Sequence, residues 1–505
     1  MVDPNLAQLA AVIAAAGTVL WLVGRGRLAV CAGLLMLAIG EAGLAVSMPG
    51  FDALDTLATP PGVGMVALGA IGLALAAGVC VWRPAWVPLA ILATAPLRPP
   101  IALDASGGFP VTIADDGQLG RLLPLYFVLA AAALALLWRA VATRESAPFG
   151  TLPRVIALPA AGFIAFASLS LMWAEGFQSG VELLMFFTLP FALLLGIVAR
   201  SPLPGWTRRP LAWIAIVMAS VIAAVGLFQA ATRQVFFFAP NLEVSNNNSG
   251  FFRVTSLFSD PSLYGRHVVL GIAVLLVLLA LRKLDPRVGI GLLVLLWGGL
   301  LFSYSQSSMV ALVAVTLAVA AATSGPVARR VVLGGLGLLV VLAVGFVASV
   351  AIQGESLRRE TADRSQRVAD TMKVIEAQPL RGVGIGGQAQ ASRRLSGRDR
   401  PTPNFVSHTT PLTVAAELGL VGLALYVCLL FGGVLVTLAA VRLDRPLGLA
   451  LGAVLLAVFV HALFYSGFLE DPITWLVLAL ACACVSWSRS DDEATHAAQA
   501  VEAAA

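Results

Sequence analysis

SHTTPLTVAAELGLVGLALY, Ser407 to Tyr426, opens as a polar cluster around a histidine and closes as a hydrophobic run. From residue 411 the run continues to about 441. That is more than the roughly 20 residues a helix needs to cross a ~30 Å hydrocarbon core. A loop carrying one of only four histidines in 505 residues therefore dives into a membrane here. Runs of the same kind recur at 5–24, 28–48, 63–82, 85–101, 119–138, 153–173, 178–199, 211–231, 264–281, 287–304, 306–323, 331–352, 446–467 and 472–488. The run at 85–101 is short and proline-rich and reads as a half-span.

Composition agrees. Apolar residues make up 59% of the chain and charged residues 12%. A soluble domain carries about 25% charge, and the mean hydropathy is +0.92. The expected fold is all-α: a polytopic membrane protein with 14 or 15 transmembrane helices and a long exterior loop holding short helices. No segment reads as a cleavable signal peptide. Cys31, Cys80, Cys428, Cys482 and Cys484 all lie in apolar runs, so neither a loop disulfide nor a zinc site is expected. Lys283 and Lys373 are the only lysines. Nearly all positive charge is guanidinium, whose forked donors suit phosphate.

Arginine placement in short loops gives the orientation. Gly24–Arg27, Arg139–Arg154, Arg200–Pro210, Leu281–Arg287, Ala328–Arg330 and Arg442–Arg445 fall alternately on one side, read as the cytoplasm. The division along the chain is 1–150 (N-terminal helices), 151–352 (transmembrane core with an outward loop at 232–263), 353–410 (large outward loop), 411–488 (C-terminal helices) and 489–505 (disordered cytoplasmic tail). The 353–410 loop carries nine arginines and a lysine against six acids, on the side where topology disfavours positive charge. It reads either as an arm resting on lipid headgroups or as the binder of an anionic substrate. No clean internal repeat is visible, which counts against a transporter.

Several stretches carry chemistry. FFRVTSLFSDPSLYGRHVVLG, Phe251 to Gly271, places Arg253, Asp260, Arg266 and His267 at an outer membrane surface. Asp260-Pro261 there reads as a helix N-cap with proline at the first position. SYSQSSMVAL, Ser303 to Leu312, is either a tight outward turn or the floor of a polar cavity. DRSQRVADTMKVIEAQPLRGVGIGG, Asp363 to Gly387, reads as an amphipathic helix with Val368, Met372 and Ile375 on its apolar face. The helix stops at Pro379, and the glycines after it suggest a loop that hugs a ligand. These glycines follow no strand and are not a dinucleotide loop. His408 is either a satisfied interface residue or a proton acceptor. HALFYSGFLEDPITW, His461 to Trp475, forms the last outward turn, its Glu470 and Asp471 either capping a helix or orienting a base.

Four ordered elements together resemble the O-antigen ligase and polymerase superfamily of bacterial envelope glycosyltransferases. They are RVTSLFSDPSLYG, SYSQSS, Arg364 followed by PLRGVGIGG from residue 379, and HTTPLTVAAELGLVGL. The chain departs from the pattern at Thr409, where asparagine is usual, and at Gln306, where arginine is usual. The resemblance implies a GT-C-like fold in the bacterial inner membrane with its site facing the periplasm or exterior. It implies transfer, without metal or other cofactor, of a glycan from an undecaprenyl-diphosphate-linked donor to a glycan or lipid A-core acceptor, with inversion. The expected partners are those substrates and membrane lipids, and no nucleic acid. By the same resemblance His408 is the catalytic base. Arg253, Arg364, Arg367 and Arg266 hold the diphosphate, supported by Asp260, Thr409, Glu417, Gln306 and Tyr264. Ligase and polymerase share this chemistry and differ in acceptor; a transporter is the alternative from another class.

The orientation is directly testable. Reporter fusions at Asp285 should report the cytoplasm and fusions at Gly397 the exterior. The reverse pattern would overturn both the topology and the site drawn on it.

Overall fold

The computed structural model describes residues 2–48, 60–99, 101–102, 112–113, 122–142, 150–237, 240–248, 250–327, 329–332, 334, 337, 364–396, 407 and 409–487. Within them the protein is an all-α polytopic membrane protein. Eleven described helices are long and apolar enough to cross a bilayer, and three shorter apolar helices accompany them. The expected span 331–352 lies almost entirely outside the described residues, as does the tail 489–505.

In chain order the helices are α1 (Pro4–Val23), α2 (Arg27–Ser47), α3 (Pro60–Trp82), the short α4 (Val87–Thr94), α5 (Leu123–Ala142) and α6 (Arg154–Leu169). Next come α7 (Phe177–Ala199), α8 (Arg208–Thr232), α9 (Pro240–Asn248), α10 (Pro261–Ala280), α11 (Pro286–Leu301) and α12 (Gln306–Thr323). The loop helices α13 (Arg364–Ala377) and α14 (Gln388–Ser396) precede α15 (Thr410–Leu443), α16 (Arg445–Ala462) and α17 (Pro472–Trp487). Ile101–Ala102 and Thr112–Ile113 form a two-residue antiparallel ladder.

Asp-Pro dipeptides start four of these helices. Asp3, Asp260, Asp285 and Asp471 each accept a backbone N–H from the first turn, and the proline behind each needs no donor partner. The half-span α4 is eight residues long, as its prolines suggested. Helix α7 contains a π-helical turn at Leu184–Thr188. Such turns are frequent at functional sites.

Long-range contacts define two ends. At one, Arg200 donates to the carbonyls of Trp21 and Gly24, Arg208 pairs with Asp444, and Ser486 donates to the Thr151 carbonyl. This is the end of the short basic loops. At the other end, His461 meets Ser262 and Ser307, Arg266 meets Gly467, and the Phe468 N–H meets Thr410. Helix α17 is almost wholly buried from Pro472 to Val485 and forms the pillar between them.

The run that opens at residue 411 is not one straight helix. Gly419 interrupts α15 at φ 62° and ψ −164°, a region open essentially only to glycine. The break is closed by the glycine-rich loop. Leu420 N–H donates to the Pro379 carbonyl (2.8 Å) and Val421 N–H to Leu380 (3.3 Å). In return Val383 N–H donates to the Ala416 carbonyl (3.0 Å) and Gly384 N–H to Glu417 (2.8 Å).

This corrects the expectation that GVGIGG hugs a ligand. Gly382, Gly384 and Gly386 have positive φ and press on the backbone of Glu417, Ala174 and Gly180, leaving no room there for a Cβ. The expected face of α13 is also corrected. Val368 and Met372 are exposed, while Ile375 does pack inward beside the buried stripe of Asp370, Thr371 and Val374. Val374 packs with Val383, Ala391 and Ala416, while Thr371 accepts from Gln388 Nε2 at 2.9 Å. Partnered polar groups let the helix bury a face that apolar spacing does not announce.

Gly419→Ala should therefore cost about 3 kcal/mol, from the forbidden φ and the collision of its Cβ with the Leu380 carbonyl. Thermal unfolding of the purified protein in detergent measures it. An unchanged melting temperature would mean that this exchange does not hold the break.

Candidate functional site

The polar end gathers six segments far apart in sequence. The Gly176 backbone meets Gly386, the Ser170 hydroxyl accepts the Ile385 N–H (2.9 Å), and Arg394 bridges to Glu175 at 2.7 Å. These contacts fasten the 364–396 loop onto the ends of α6 and α7. A cavity of about 970 Å³ opens between α9, the start of α10 and the α11–α12 turn. Arg253, Ser262, Tyr304, Ser305, Gln306 and Ser307 are among its lining residues.

Arg253 is held at the backbone and at the side chain. Asn246 of α9 accepts the Arg253 N–H (2.9 Å) and donates to its carbonyl (3.0 Å). Arg253 Nε donates to the Ser303 carbonyl at 3.3 Å. That fixes the guanidinium against SYSQSS, which is at once a tight turn (Tyr304 φ 45°) and a cavity wall. Ser305 and Ser307 join hydroxyl to hydroxyl at 3.1 Å, and both are buried.

The chain of polar contacts continues inward to His461, which sequence reading passed over as a catalytic candidate. Its Nε2 lies 3.1 Å from Ser307 Oγ and 3.1 Å from the Ser262 carbonyl. A carbonyl only accepts, so Nε2 carries the ring proton. The available signal was the presence of an ionisable residue inside an apolar span. Arg98 was also missed. It follows the proline-interrupted half-span α4 and interacts electrostatically with Asp471, Tyr126, Arg266 and Tyr465. A cation beside a broken, irregular stretch of backbone at membrane depth was the signal there.

Arg266 is placed differently from Arg253. It is buried, pairs with Asp471 at 2.7 Å and donates to the Gly467 carbonyl at 3.2 Å. Its guanidinium is committed to the last outward turn. Asp471 also caps α17 through the Ile473 N–H (2.8 Å), so capping is one part of what this acid does. Asp260 caps α10 through the Ser262 N–H (2.6 Å) and hydrogen-bonds Tyr465. The fully buried Tyr264 donates to the Gly299 carbonyl (2.8 Å), tying α10 to α11.

Glu417 and Glu470 line a second, small pocket of about 50 Å³ together with Thr410, Thr413 and Ser466. Glu417 accepts the N–H groups of Gln388 and Gly386, while Glu470 Oε2 is buried without a hydrogen-bond partner. Burial pushes the Glu470 carboxyl above its ordinary range, opposed by its own backbone hydrogen bond and the charge on Arg266. The Thr409 and Ser407 hydroxyls join at 3.0 Å, and the Thr410 hydroxyl accepts the Phe468 N–H at 3.4 Å. His408, between them, lies outside the described residues, and so does the side chain of Arg364. Arg367 is half-buried on α13. No group of three or more histidine, cysteine or acidic side chains placed to hold a metal occurs among the described residues.

A multi-pass helical membrane protein with an arginine-bearing cavity at the end where a loop is clamped onto the bundle is the class that fold and site define. Residues 291–427 match the O-antigen ligase family, Wzy_C. The chain thus carries an O-antigen ligase domain, which supports its place in the O-antigen ligase and polymerase superfamily and a function in polysaccharide biosynthesis. The matched segment runs from α11 through the serine turn and the loop helices to just past the break in α15. No curated protein matched the chain.

The Arg266–Asp471 pair makes a stability prediction. Asp471→Asn keeps a capping side chain but leaves a buried guanidinium opposite a neutral amide, at a cost of about 3–5 kcal/mol. The double change Arg266→Met with Asp471→Leu removes both charges and should lose clearly less. Denaturation in detergent compares them; a double variant no better than the single would put the cost in the helix cap instead.

Proposed function

We propose that this protein is an O-antigen ligase-like glycosyltransferase that moves a glycan from undecaprenyl diphosphate to a sugar hydroxyl of its acceptor. The observation that carries the reading is Arg253, held by Asn246 and Ser303 at the wall of a roomy cavity that also presents Gln306 and serine hydroxyls. The family match adjoining that cavity supports it. In this reading the site faces the periplasm or exterior of the bacterial inner membrane, as the arginine-bearing short loops at the opposite end favour.

The acceptor hydroxyl oxygen attacks the anomeric carbon of the donor sugar. The bond from that carbon to the diphosphate oxygen breaks, and the lipid diphosphate leaves with the electron pair. His408 takes the hydroxyl proton. Arg253 and Arg364 hold the diphosphate and stabilise the charge that grows on it, the kind of contribution that is often the largest in catalysis. The guanidinium fork matches two phosphate oxygens at once. Arg367 assists from the same helix as Arg364. Arg266 acts through the turn it holds, keeping Glu470 and Asp471 in place. Gln306 and the serines offer neutral hydrogen bonds to sugar hydroxyls, and Glu417 and Thr409 set the end of α15 beside them.

Purified protein in lipid, given a polyprenyl-diphosphate glycan and an acceptor, tests this. His408→Ala should bind donor nearly as the parent does and turn over about 10²-fold more slowly. Arg253→Lys and Arg364→Lys should each lose most activity, because a point charge does not reproduce a two-pronged contact. Arg398→Ala should be far milder. The parent rate should fall as pH drops through about 6.5, an unperturbed histidine value. Near-normal turnover by the alanine variant would remove His408 from the chemistry. Equal losses at all three arginines would indicate diffuse attraction in place of a clamp.

A further inference from the structure

From a mouth at the basic end, a groove of about 730 Å³ runs between α8, α10, α16 and α17 and reaches His267 and Ile473 toward the polar end. Its walls are apolar, with Leu211, Ile222, Val274 and Leu480 among them. Along α8 the lining runs from Leu211 to Ile222 and along α10 from His267 to Leu278. At 1.5 Å per residue each stretch is about 16 Å long. That is roughly half of a ~30 Å hydrocarbon core, about the reach of one acyl chain, and the α17 wall from Ile473 to Leu480 carries the groove further toward the polar end.

The mouth is charged. Arg208, Arg209, Lys283, Asp285 and Asp444 line it. Both acids are already engaged: Asp444 pairs with Arg208 and caps α16 through the Leu447 N–H, and Asp285 caps α11 through the Arg287 N–H. Arg209 and Lys283 are exposed, and their side chains have no ion pair or hydrogen bond among the described residues. The first turns of α8, α11 and α16 come to this end as well, and their N-terminal dipoles add to the positive field.

We propose that the groove binds an anionic glycerophospholipid from the leaflet at the basic end, with its phosphate on Arg209 and Lys283 and an acyl chain against α8 and α10. Two free cations over an apolar groove are complementary to one negative headgroup with its chain. The donor carrier of the proposed reaction presents its diphosphate at the other end of the bundle, so the two headgroups lie at opposite ends.

The full chain, delipidated in detergent, is titrated with phosphatidylglycerol and with phosphatidylcholine and read by native mass spectrometry. Phosphatidylglycerol should bind at least about 10-fold more tightly. The Arg209→Gln, Lys283→Gln double variant changes only exposed side chains. It should bind phosphatidylglycerol about 30-fold more weakly, at ~5-fold per cation. Ala215→Phe, which fills the slot, should weaken both lipids. Equal affinity for the two headgroups, or no effect of the double variant, would overturn the proposal. Displacement of the bound lipid by undecaprenyl diphosphate would overturn it too, by giving the groove to the carrier's tail.

Discussion

Backbone polar groups cannot be left unpaired where water is absent, and the break at Gly419 is where this chain meets that constraint. A membrane helix is interrupted, and the donors and acceptors it frees are taken up by the 379–384 loop. The exchange runs in both directions, so neither segment is satisfied without the other. It ties the loop to the bundle through main chain, and it requires glycine on both sides: at Gly419 for the backbone angle, at Gly382 for the close approach. The orientation of Glu417, and of Thr410 about two turns before it, follows from where that break falls.

The rest of the polar end is braced by side chains that reach across the bundle. Arg266 joins α10 to the turn before α17, and His461 joins α16 to Ser262 and Ser307. Each contact is satisfied inside protein, as ionisable groups near hydrocarbon must be. The consequence for chemistry is a division of labour among guanidiniums. Arg266 is spent on structure, which holds the walls. Arg253 stands at the cavity edge, where a ligand can reach it. A site on rigid elements keeps its geometry better than one on free loops.

Much of this was legible in the sequence, and the reasons differ from element to element. The spans were readable because bilayer thickness sets a length that few other structures require. The Asp260-Pro261 helix start was readable because capping is local chemistry. The buried face of α13 was not, because Thr371 and Asp370 are buried through partners, Gln388 above all, that no periodicity reveals. The glycine-rich loop was correctly seen as tight and wrongly matched to a ligand; its neighbour is α15, about 35 residues on. His461 and Arg98 were missed as site residues because their partners lie far along the chain, Ser307 being 154 residues from His461. What the sequence did hold was their oddity, a charge-bearing residue inside or beside an apolar run.

The composition of the cavity narrows what it suits. A site for bare phosphate needs little more than cations, and a lipid tail needs only apolar walls. This cavity offers a guanidinium together with neutral donors and acceptors, Gln306 and serine hydroxyls, against apolar side chains such as Leu301, Phe302 and Met309. Phe251 and Tyr304 stand together at its edge with ring centroids 4.6 Å apart, both partly exposed. Aromatic faces accept the C–H side of a sugar ring, while amides and hydroxyls meet its hydroxyls. Glutamine at position 306, where the family pattern has arginine, lowers the positive charge without removing hydrogen-bonding capacity. The ligand of the proposed reaction, a sugar carried on a diphosphate, is charged at one point and polyhydroxylated over the rest, and these are the groups it would meet.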